Sequence, residues 1–272
     1  MKIGEWDSDS GEVYVVAEAG INHCGQSTLA IRLIDAAKEA GANAVKFQWF
    51  DPDALVARRG PSAAALRPLA LDPDVFATLK IHCDQIGIDF LCSVFDIPSA
   101  DAYLELDPPA VKIGSGELRE LALIGHIAHR SDVPIILSTG MATMHDVGQA
   151  VLALKGRERA LLHCVSAYPT PLEQVNLRAM DALKAFHCPV GFSDHCVSAT
   201  AGVLAVARGA CIIERHLTLD RTLPGPDHVA STEPGMFQDY VRMIRCATAA
   251  LGHGRKEVLE VEHETMRKIG RL

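Results

Sequence analysis

The chain has 272 residues, of which 49% are hydrophobic and 22% are charged, and its net charge at pH 7 is −8. The length and apolar content fit one large domain with a substantial core, and the charge balance excludes a basic nucleic-acid-binding surface. Three features favour a cytoplasmic protein: no apolar run approaches the ~18 residues of a membrane helix, the acidic start is unlike a signal peptide, and the eight cysteines include no CxxC pair.

Eight short apolar runs recur along the chain, and segments with helical periodicity lie between them. The runs are residues 13–17, 44–47, 89–92, 110–113, 134–137, 160–164, 190–192 and 211–214. Helical periodicity is found in residues 29–38, 75–86, 121–129, 144–154, 176–186 and 199–208. Eight strands alternating with helices in about 250 residues predict a single-domain α/β protein, a (β/α)8 TIM barrel. A doubly wound open sheet is the alternative.

Polar or charged residues stand at the end of every predicted strand. In chain order they are Glu18, then Lys46 and Gln48, Ser93, Lys112 and Ser115, Ser138, Ser166 and Tyr168, Ser193 and His195, and finally Glu214 and His216. A strand buried on both faces should be apolar, and barrel enzymes carry their chemistry where strands end and loops begin. Eight polar strand ends at one rim therefore predict an active site.

The residue types at this rim indicate an anionic substrate and a metal. Lys46, Lys112 and serines beside glycine suit a phosphate, because they offer charge, hydroxyl donors and close backbone N–H groups. His195 and His216, with an acid nearby, suit a divalent metal that polarises a carbonyl or activates water. Together they predict carbon–carbon bond formation with a phosphorylated substrate.

Each of these residues also has a structural interpretation. His195 alone could be a hydrogen-bonded core histidine, and the two lysines could be paired with acids. Lys112 could instead be the Schiff-base lysine of a metal-free aldolase, and Ser115 and Ser138 could be turn or cap residues.

Other residues near the rim are less clearly assigned. Trp49 and Tyr168 are expected to form pocket wall. The residue types and positions of His23, His163 and His228 decide neither a structural nor a functional role.

Nine segments, in order, resemble the sialic acid synthase (N-acetylneuraminate synthase) family. They are AEAGINH (17–23), AVKFQ (44–48), KIGSGE (112–117), ILSTGM (136–141), YPTP (168–171), NLR (176–178), FSDH (192–195), ERH (214–216) and PGPD (224–227). The resemblance covers residues 13 to 260. It implies a barrel that condenses phosphoenolpyruvate with an open-chain N-acylated amino sugar and releases phosphate. It also implies a divalent metal, usually manganese, with magnesium or cobalt as alternatives.

The resemblance assigns roles to single residues. His195 and His216 match metal ligands, and Glu18, Gln48, Tyr168 and Asp227 match positions near the sugar. Glu214 matches an acid beside the reacting carbons, so Glu214, Glu18 and Asp227 are the expected catalytic residues. The positions expected to hold phosphoenolpyruvate are Lys46, Ser93, Lys112, Ser115, Ser138 and Ser193, and Ser166 is added as a further substrate contact.

The chain also departs from the family pattern. Cys24, Trp49, Val165–Ser166 and Arg119–Glu120 differ from the residues common there. Family members continue into a small antifreeze-like domain that covers the partner's site in a homodimer, and this sequence ends at Leu272. We therefore expect a lone barrel, with a homodimer or a separately encoded antifreeze-like domain as partners.

The acceptor sugar stays open, and so do two other classes of function. One is a non-catalytic barrel that acts as a binding or assembly partner. The other is a metal-dependent aldolase or lyase that acts on a different phosphorylated substrate.

Overall fold

The computed structural model describes residues 1–271. A short antiparallel pair, β1 (Lys2–Ile3) and β2 (Trp6–Asp7), comes first. Eight parallel strands follow: β3 (Tyr14–Gly20), β4 (Ala44–Trp49), β5 (Asp89–Val94), β6 (Val111–Ile113), β7 (Ile135–Ser138), β8 (Arg159–His163), β9 (Val190–Asp194) and β10 (Ile212–His216). They form a closed barrel in chain order, with β10 paired to β3. The predicted TIM barrel is confirmed, and the open sheet is wrong.

Helices surround the barrel. They are α1 (Ser27–Glu39), α2 (Pro52–Arg59), α3 (Pro73–Ile86), α4 (Ile97–Leu104), α5 (Leu121–Arg130), α6 (Met144–Ala153), α7 (Ala179–Leu183), α8 (Thr200–Ala207), α9 (Pro234–Leu251) and α10 (His263–Lys268). The predicted helix over 176–186 is shorter than expected. Asn176 has a φ of 49°, which a helix cannot contain, so only α7 and a 3-10 turn at Lys184–Phe186 form there.

Alternation along the strands divides the barrel interior into an apolar lower half and a polar upper half. Tyr14, Leu91 and Ile136 fill the lower half together with Ile3 and Trp6 of the β1–β2 pair. This plug closes the N-terminal end of the barrel. The inward side chains further along the same strands are polar, so the interior opens towards the C-terminal rim.

The same alternation makes the predicted position of Trp49 wrong. Trp49 is the last residue of β4 and is 5% exposed. Its ring stacks on Phe76 of α3, with centroids 4.0 Å apart. Because neighbouring residues of a strand face opposite sides, Gln48 faces the barrel interior and Trp49 packs outside it.

Residues 52–69 form a segment over the rim that we call the lid segment. It consists of α2 and a 3-10 helix at Pro61–Leu69. Asp51 caps α2 by accepting hydrogen bonds from the backbone N–H groups of residues 53 and 54. Leu55 and Ala63 pack on Ile21 and Phe50 in a small apolar cluster separate from the main core. This element was not predicted from the sequence.

Among residues 1–271, no helix combines the length and the apolar character that crossing a membrane requires.

Candidate active site

A cavity of about 400 Å³ opens at the C-terminal rim of the barrel. Its wall includes all fourteen site residues predicted from the sequence: Glu18, Lys46, Gln48, Ser93, Lys112, Ser115, Ser138, Ser166, Tyr168, Ser193, His195, Glu214, His216 and Asp227. Most are inward-facing residues near the ends of strands, because a closed parallel barrel brings all its strand ends to one rim.

Two lysines and two glutamates form a buried charge network at the cavity floor. Lys46 Nζ lies 2.7 Å from Glu18 Oε2 and 3.5 Å from Glu214 Oε2. Lys112 Nζ donates to both oxygens of Glu214 at 2.9 Å. All four side chains are at most 7% exposed. The lysines are therefore paired with acids, as one interpretation of the sequence expected, and they also line the cavity.

The two carboxyl groups of this network differ in acidity. Burial raises the pKa of Glu18, and Lys46 only partly opposes this. Burial also acts to raise the pKa of Glu214, but Lys112 and Lys46 outweigh it and hold that pKa below its usual value. Ser193 Oγ donates to Glu214 Oε1 at 2.8 Å and stabilises the ionised form further. The Glu214 carboxyl group therefore stays ionised. Of the two carboxyl groups, that of Glu18 takes up a proton more readily.

His195 and His216 present neutral imidazoles to the cavity. His195 Nδ1 donates to the Val165 carbonyl at 2.7 Å, so Nε2, which lies 3.3 Å from Ser193 Oγ, carries the lone pair. Burial lowers the pKa of His195 to about 4, and it lowers the pKa of His216 as well. The ring centroids are 5.7 Å apart, and His216 Nδ1 is buried without a hydrogen-bond partner.

This pair fits the donor set of a divalent metal, because neutral imidazole nitrogen is a common ligand for such ions. Within residues 1–271, no group of three or more His, Cys, Asp or Glu side chains is arranged to hold a metal. The protein would therefore supply two ligands here, and the other coordination positions would fall to water or substrate.

An ion pair on the outer face of the sheet fixes the two strands that carry these histidines. Arg215 Nη1 lies 2.9 Å from Asp194 Oδ2, and the Tyr240 hydroxyl donates to the same oxygen at 2.8 Å. Each residue of the pair directly precedes one of the histidines in the chain. The contact joins β9 to β10 and so sets the spacing of the two imidazoles.

The hydroxyls of Ser115 and Ser166 converge beside Gly140, and Ser138 also lines the cavity. Ser115 Oγ accepts the Gly140 N–H at 3.0 Å. Ser138 Oγ and Ser166 Oγ are buried and have no hydrogen-bond partner among the described residues. The Ser115 and Ser138 side chains thus make no helix-cap contacts, and two unsatisfied hydroxyls are left for a ligand that accepts hydrogen bonds.

On another wall, Glu18, Gln48 and Asp227 meet above Gly20. Gln48 Nε2 donates to Glu18 Oε1 at 3.3 Å. A Cβ on Gly20 would lie 3.3 Å from each of those two atoms and 3.6 Å from Asp227 Oδ2. Burial raises the pKa of Asp227, and His216 opposes this. The three side chains offer donors and acceptors suited to hydroxyl groups.

Two charged residues of the cavity wall, Glu117 and Arg59, were not among the predicted site residues. Glu117 is 1% exposed, and Arg58 and Arg59 of α2 both donate to its Oε1. Its place in the KIGSGE motif, directly after the Ser115 turn, was the signal that could have identified it. Arg59 follows no strand, so strand-end reasoning could not find it.

The three unassigned histidines have structural contacts and do not line the cavity. His23 Nδ1 accepts the Gly25 N–H at 3.1 Å, and His163 Nε2 donates to the Val175 carbonyl at 2.7 Å. His228 Nδ1 lies 2.7 Å from Thr218 Oγ1, and its Nε2 lies 3.2 Å from Cys24 Sγ.

Comparisons with known proteins agree with this geometry. An N,N'-diacetyllegionaminic acid synthase from Legionella pneumophila is 39% identical in an alignment of 266 positions that covers 90% of this chain and 74% of the relative. The N-acetylneuraminate-9-phosphate synthase of Homo sapiens is 32% identical over 98% of this chain and 79% of its own length.

A solved structure is similar over the whole chain. The N-acetylneuraminic acid synthetase of Leptospira borgpetersenii, in complex with citrate, superposes with a TM-score of 0.90 at 34% identity, covering 100% of this chain and 96% of that one. The NeuB family model matches residues 33–256. The resemblance drawn from the sequence motifs is confirmed, and the chain belongs to the NeuB family.

Proposed function

We propose that this protein condenses phosphoenolpyruvate with an open-chain N-acylamino sugar aldehyde, forming a 2-keto-3-deoxy sugar acid and releasing inorganic phosphate. The observation that carries the proposal is that buried lysines, unsatisfied serine hydroxyls and two neutral histidines line the same cavity. The names of the relatives, which are synthases of legionaminic acid and of N-acetylneuraminate 9-phosphate, support the reaction class.

The anion-binding side of the cavity suits phosphoenolpyruvate. Ser115, Ser138 and Ser166 offer hydroxyl donors to a phosphate, and the lysines neutralise charge. Lys46 and Lys112 are already paired with glutamates, so a bound anion competes with those carboxylates. Because burial raises the pKa of Glu18, proton uptake by Glu18 would free Lys46 for the substrate.

The opposite side suits the aldehyde. His195 and His216 would hold a divalent metal, manganese in the first place with magnesium and cobalt as alternatives, which supplies a Lewis acid to polarise the aldehyde carbonyl. Glu18, Gln48 and Asp227 would orient the sugar hydroxyls.

Glu18 and Glu214 can supply the proton transfers that the reaction needs. The methylene carbon of phosphoenolpyruvate attacks the aldehyde carbon, and the aldehyde oxygen takes the proton held by Glu18. Water, oriented by the ionised Glu214, then adds to the cationic carbon that carries the phosphate, and the proton that this water loses returns Glu18 to its protonated form. The tetrahedral intermediate expels phosphate with its bridging oxygen by C–O cleavage, and its hydroxyl proton leaves with the phosphate, so that the keto group remains.

Phosphate release tests the proposal. The assay mixes protein, phosphoenolpyruvate and manganese with candidate N-acylamino sugars. We expect release only when all components are present, and a product with the mass of both substrates plus water minus phosphoric acid. Release without any aldehyde, or no release with any acceptor, would contradict it.

A Schiff-base aldolase is the second candidate, because burial lowers the pKa of Lys112. Borohydride treatment in the presence of pyruvate would then leave a stable adduct on Lys112. We expect none, because both oxygens of Glu214 bind that ammonium group.

A further inference from the structure

The lid segment brings a second positive group to the cavity, separate from the lysines of the floor. This group is the guanidinium of Arg59, whose central carbon lies 5.4 Å from the centroid of the Phe95 ring. Gly116 makes the approach possible, because a Cβ there would lie 2.6 Å from Arg59 Nη2. A side chain at position 116 would therefore force the guanidinium to shift.

Arg59 is not alone in tying the lid segment to the barrel, because Arg58 binds the same carboxylate and makes a further contact. Arg58 donates from Nη1 to the Phe95 carbonyl at 2.9 Å and from Nη2 to Glu117 Oε1 at 2.8 Å. Among residues 1–271, Arg59 has one hydrogen-bond acceptor, the same Glu117 oxygen that Arg58 already binds. Two guanidinium groups thus share one buried carboxylate. Arg59 lines the cavity, whereas Arg58 does not. Most of the five N–H donors of Arg59 have no acceptor within the described part of the chain.

The order of strands in the barrel decides which substrate Arg59 faces. Phe95 follows β5, whereas His195 follows β9 and His216 ends β10. In the closed order β10-β3-β4-β5-β6-β7-β8-β9, four steps separate β5 from β9, so they lie on opposite sides of the ring. An open-chain aldehyde whose carbonyl lay at the histidines would extend its other end across the barrel towards Arg59.

The donor phosphate has a different place. Ser115 Oγ is directed to Gly140, after β7, and lies 3.2 Å from Cys164 Sγ, after β8. Arg59 contacts the Ser115–Glu117 turn from the other side, next to β5. The Ser115 hydroxyl is thus directed towards the ends of β7 and β8, whereas Arg59 lies beside the end of β5.

We propose that Arg59 binds an oxyanion at the end of the acceptor remote from its aldehyde, so that the enzyme selects a sugar phosphate over the neutral sugar. A guanidinium with free donors beside a ring face recognises a phosphate monoester through paired, charge-assisted hydrogen bonds. This inference rests on the proposed function and specifies the acceptor class.

The test compares two acceptors, N-acetylmannosamine and its 6-phosphate, by steady-state phosphate release. We expect kcat/KM of the wild-type protein to be about 10- to 100-fold higher for the 6-phosphate. Arg59→Ala should remove this preference, because kcat/KM for the 6-phosphate should fall far more than kcat/KM for the neutral sugar. Arg59→Lys should restore part of it, because charge returns without the planar fork. Arg67→Ala is the matched control, since Arg67 lies on the same lid segment, pairs with exposed Asp53 and is not in the cavity wall.

If kcat/KM of Arg59→Ala falls equally for both acceptors, the inference is overturned, because Arg59 would then bind a part that the two sugars share. A raised KM for phosphoenolpyruvate alone would also overturn it. If the wild-type protein turns over neither sugar, the proposed function fails separately. Calorimetric titration with the 6-phosphate then still tests Arg59, and binding that is equal in wild type and Arg59→Ala contradicts its role.

Discussion

Gly140 offers a sharp test of the phosphate-binding wall, because the substitution Gly140→Ala adds one methyl group where three side chains converge. A Cβ at Gly140 would come within 3.0 Å of Ser166 Oγ, 2.8 Å from Ser115 Oγ and 3.0 Å from Cys164 Sγ. Real Cβ atoms do not approach other atoms this closely. The φ angle of Gly140 is not in the left-handed region, so the backbone accepts alanine and the serine hydroxyls must move instead.

The magnitude follows from the bonds that are lost. Hydrogen bonds to a charged group contribute about 1.5–3 kcal/mol each, so displacing both hydroxyls costs about 3–6 kcal/mol of phosphate binding. We therefore expect kcat/KM for phosphoenolpyruvate to fall roughly 10²- to 10⁴-fold. The assay is phosphate release at saturating acceptor with phosphoenolpyruvate varied, accompanied by a thermal melt to confirm folding.

Gly125→Ala is the matched control. Gly125 lies in α5, and a Cβ there meets nothing within 4 Å. This control should keep full activity and gain about 0.5–1 kcal/mol of helix stability. A Gly140→Ala protein with unchanged kcat/KM for phosphoenolpyruvate would refute the assignment of this wall to the phosphate.

Three further predictions concern the metal site, the charge network and pH. His216→Ala should abolish turnover and weaken manganese binding, measured by calorimetry, without lowering the melting temperature of the metal-free protein; undiminished activity would remove the metal assignment. Lys112→Met should lower the free energy of unfolding in urea by about 3–5 kcal/mol, because it leaves the buried Glu214 carboxylate without its closest cation. The double variant Lys112→Met/Glu214→Gln should recover part of this stability. Full additivity of the two single substitutions would contradict the pairing. Burial lowers the pKa of His23 to about 4, so the unfolded state binds more protons and stability falls as pH drops from about 6.5 towards 4, by up to about 3 kcal/mol from this residue. The unfolding free energy of His23→Gln should depend less on pH over that interval, and an unaltered slope would contradict the attribution.

Much of the site was predictable because barrel topology converts chain order into spatial proximity. Lys46, Lys112 and His216 are far apart in the sequence, yet each stands at or near a strand end, and all strand ends share one rim. Identifying eight strands was therefore enough to place these residues together, without knowledge of any side-chain contact.

The side of the sheet to which a strand residue points, and the structure of the loops, were harder to predict. Trp49 was misplaced because a one-residue step along β4 changes the side of the sheet, and an apolar run does not show where that step falls. Arg59 was missed because it follows no strand. Its position depends on how the lid segment packs on Ile21 and Phe50, which are long-range contacts that local sequence patterns do not encode.

The central claim is the condensation itself, and oxygen-18 water tests it most directly. The reaction is run with unlabelled phosphoenolpyruvate, manganese and the best acceptor, and both products are analysed by mass spectrometry immediately after a single turnover. Addition of water to carbon followed by C–O cleavage predicts the label in the new keto acid and unlabelled phosphate. Label in the phosphate would mean attack at phosphorus and would contradict the proposed chemistry.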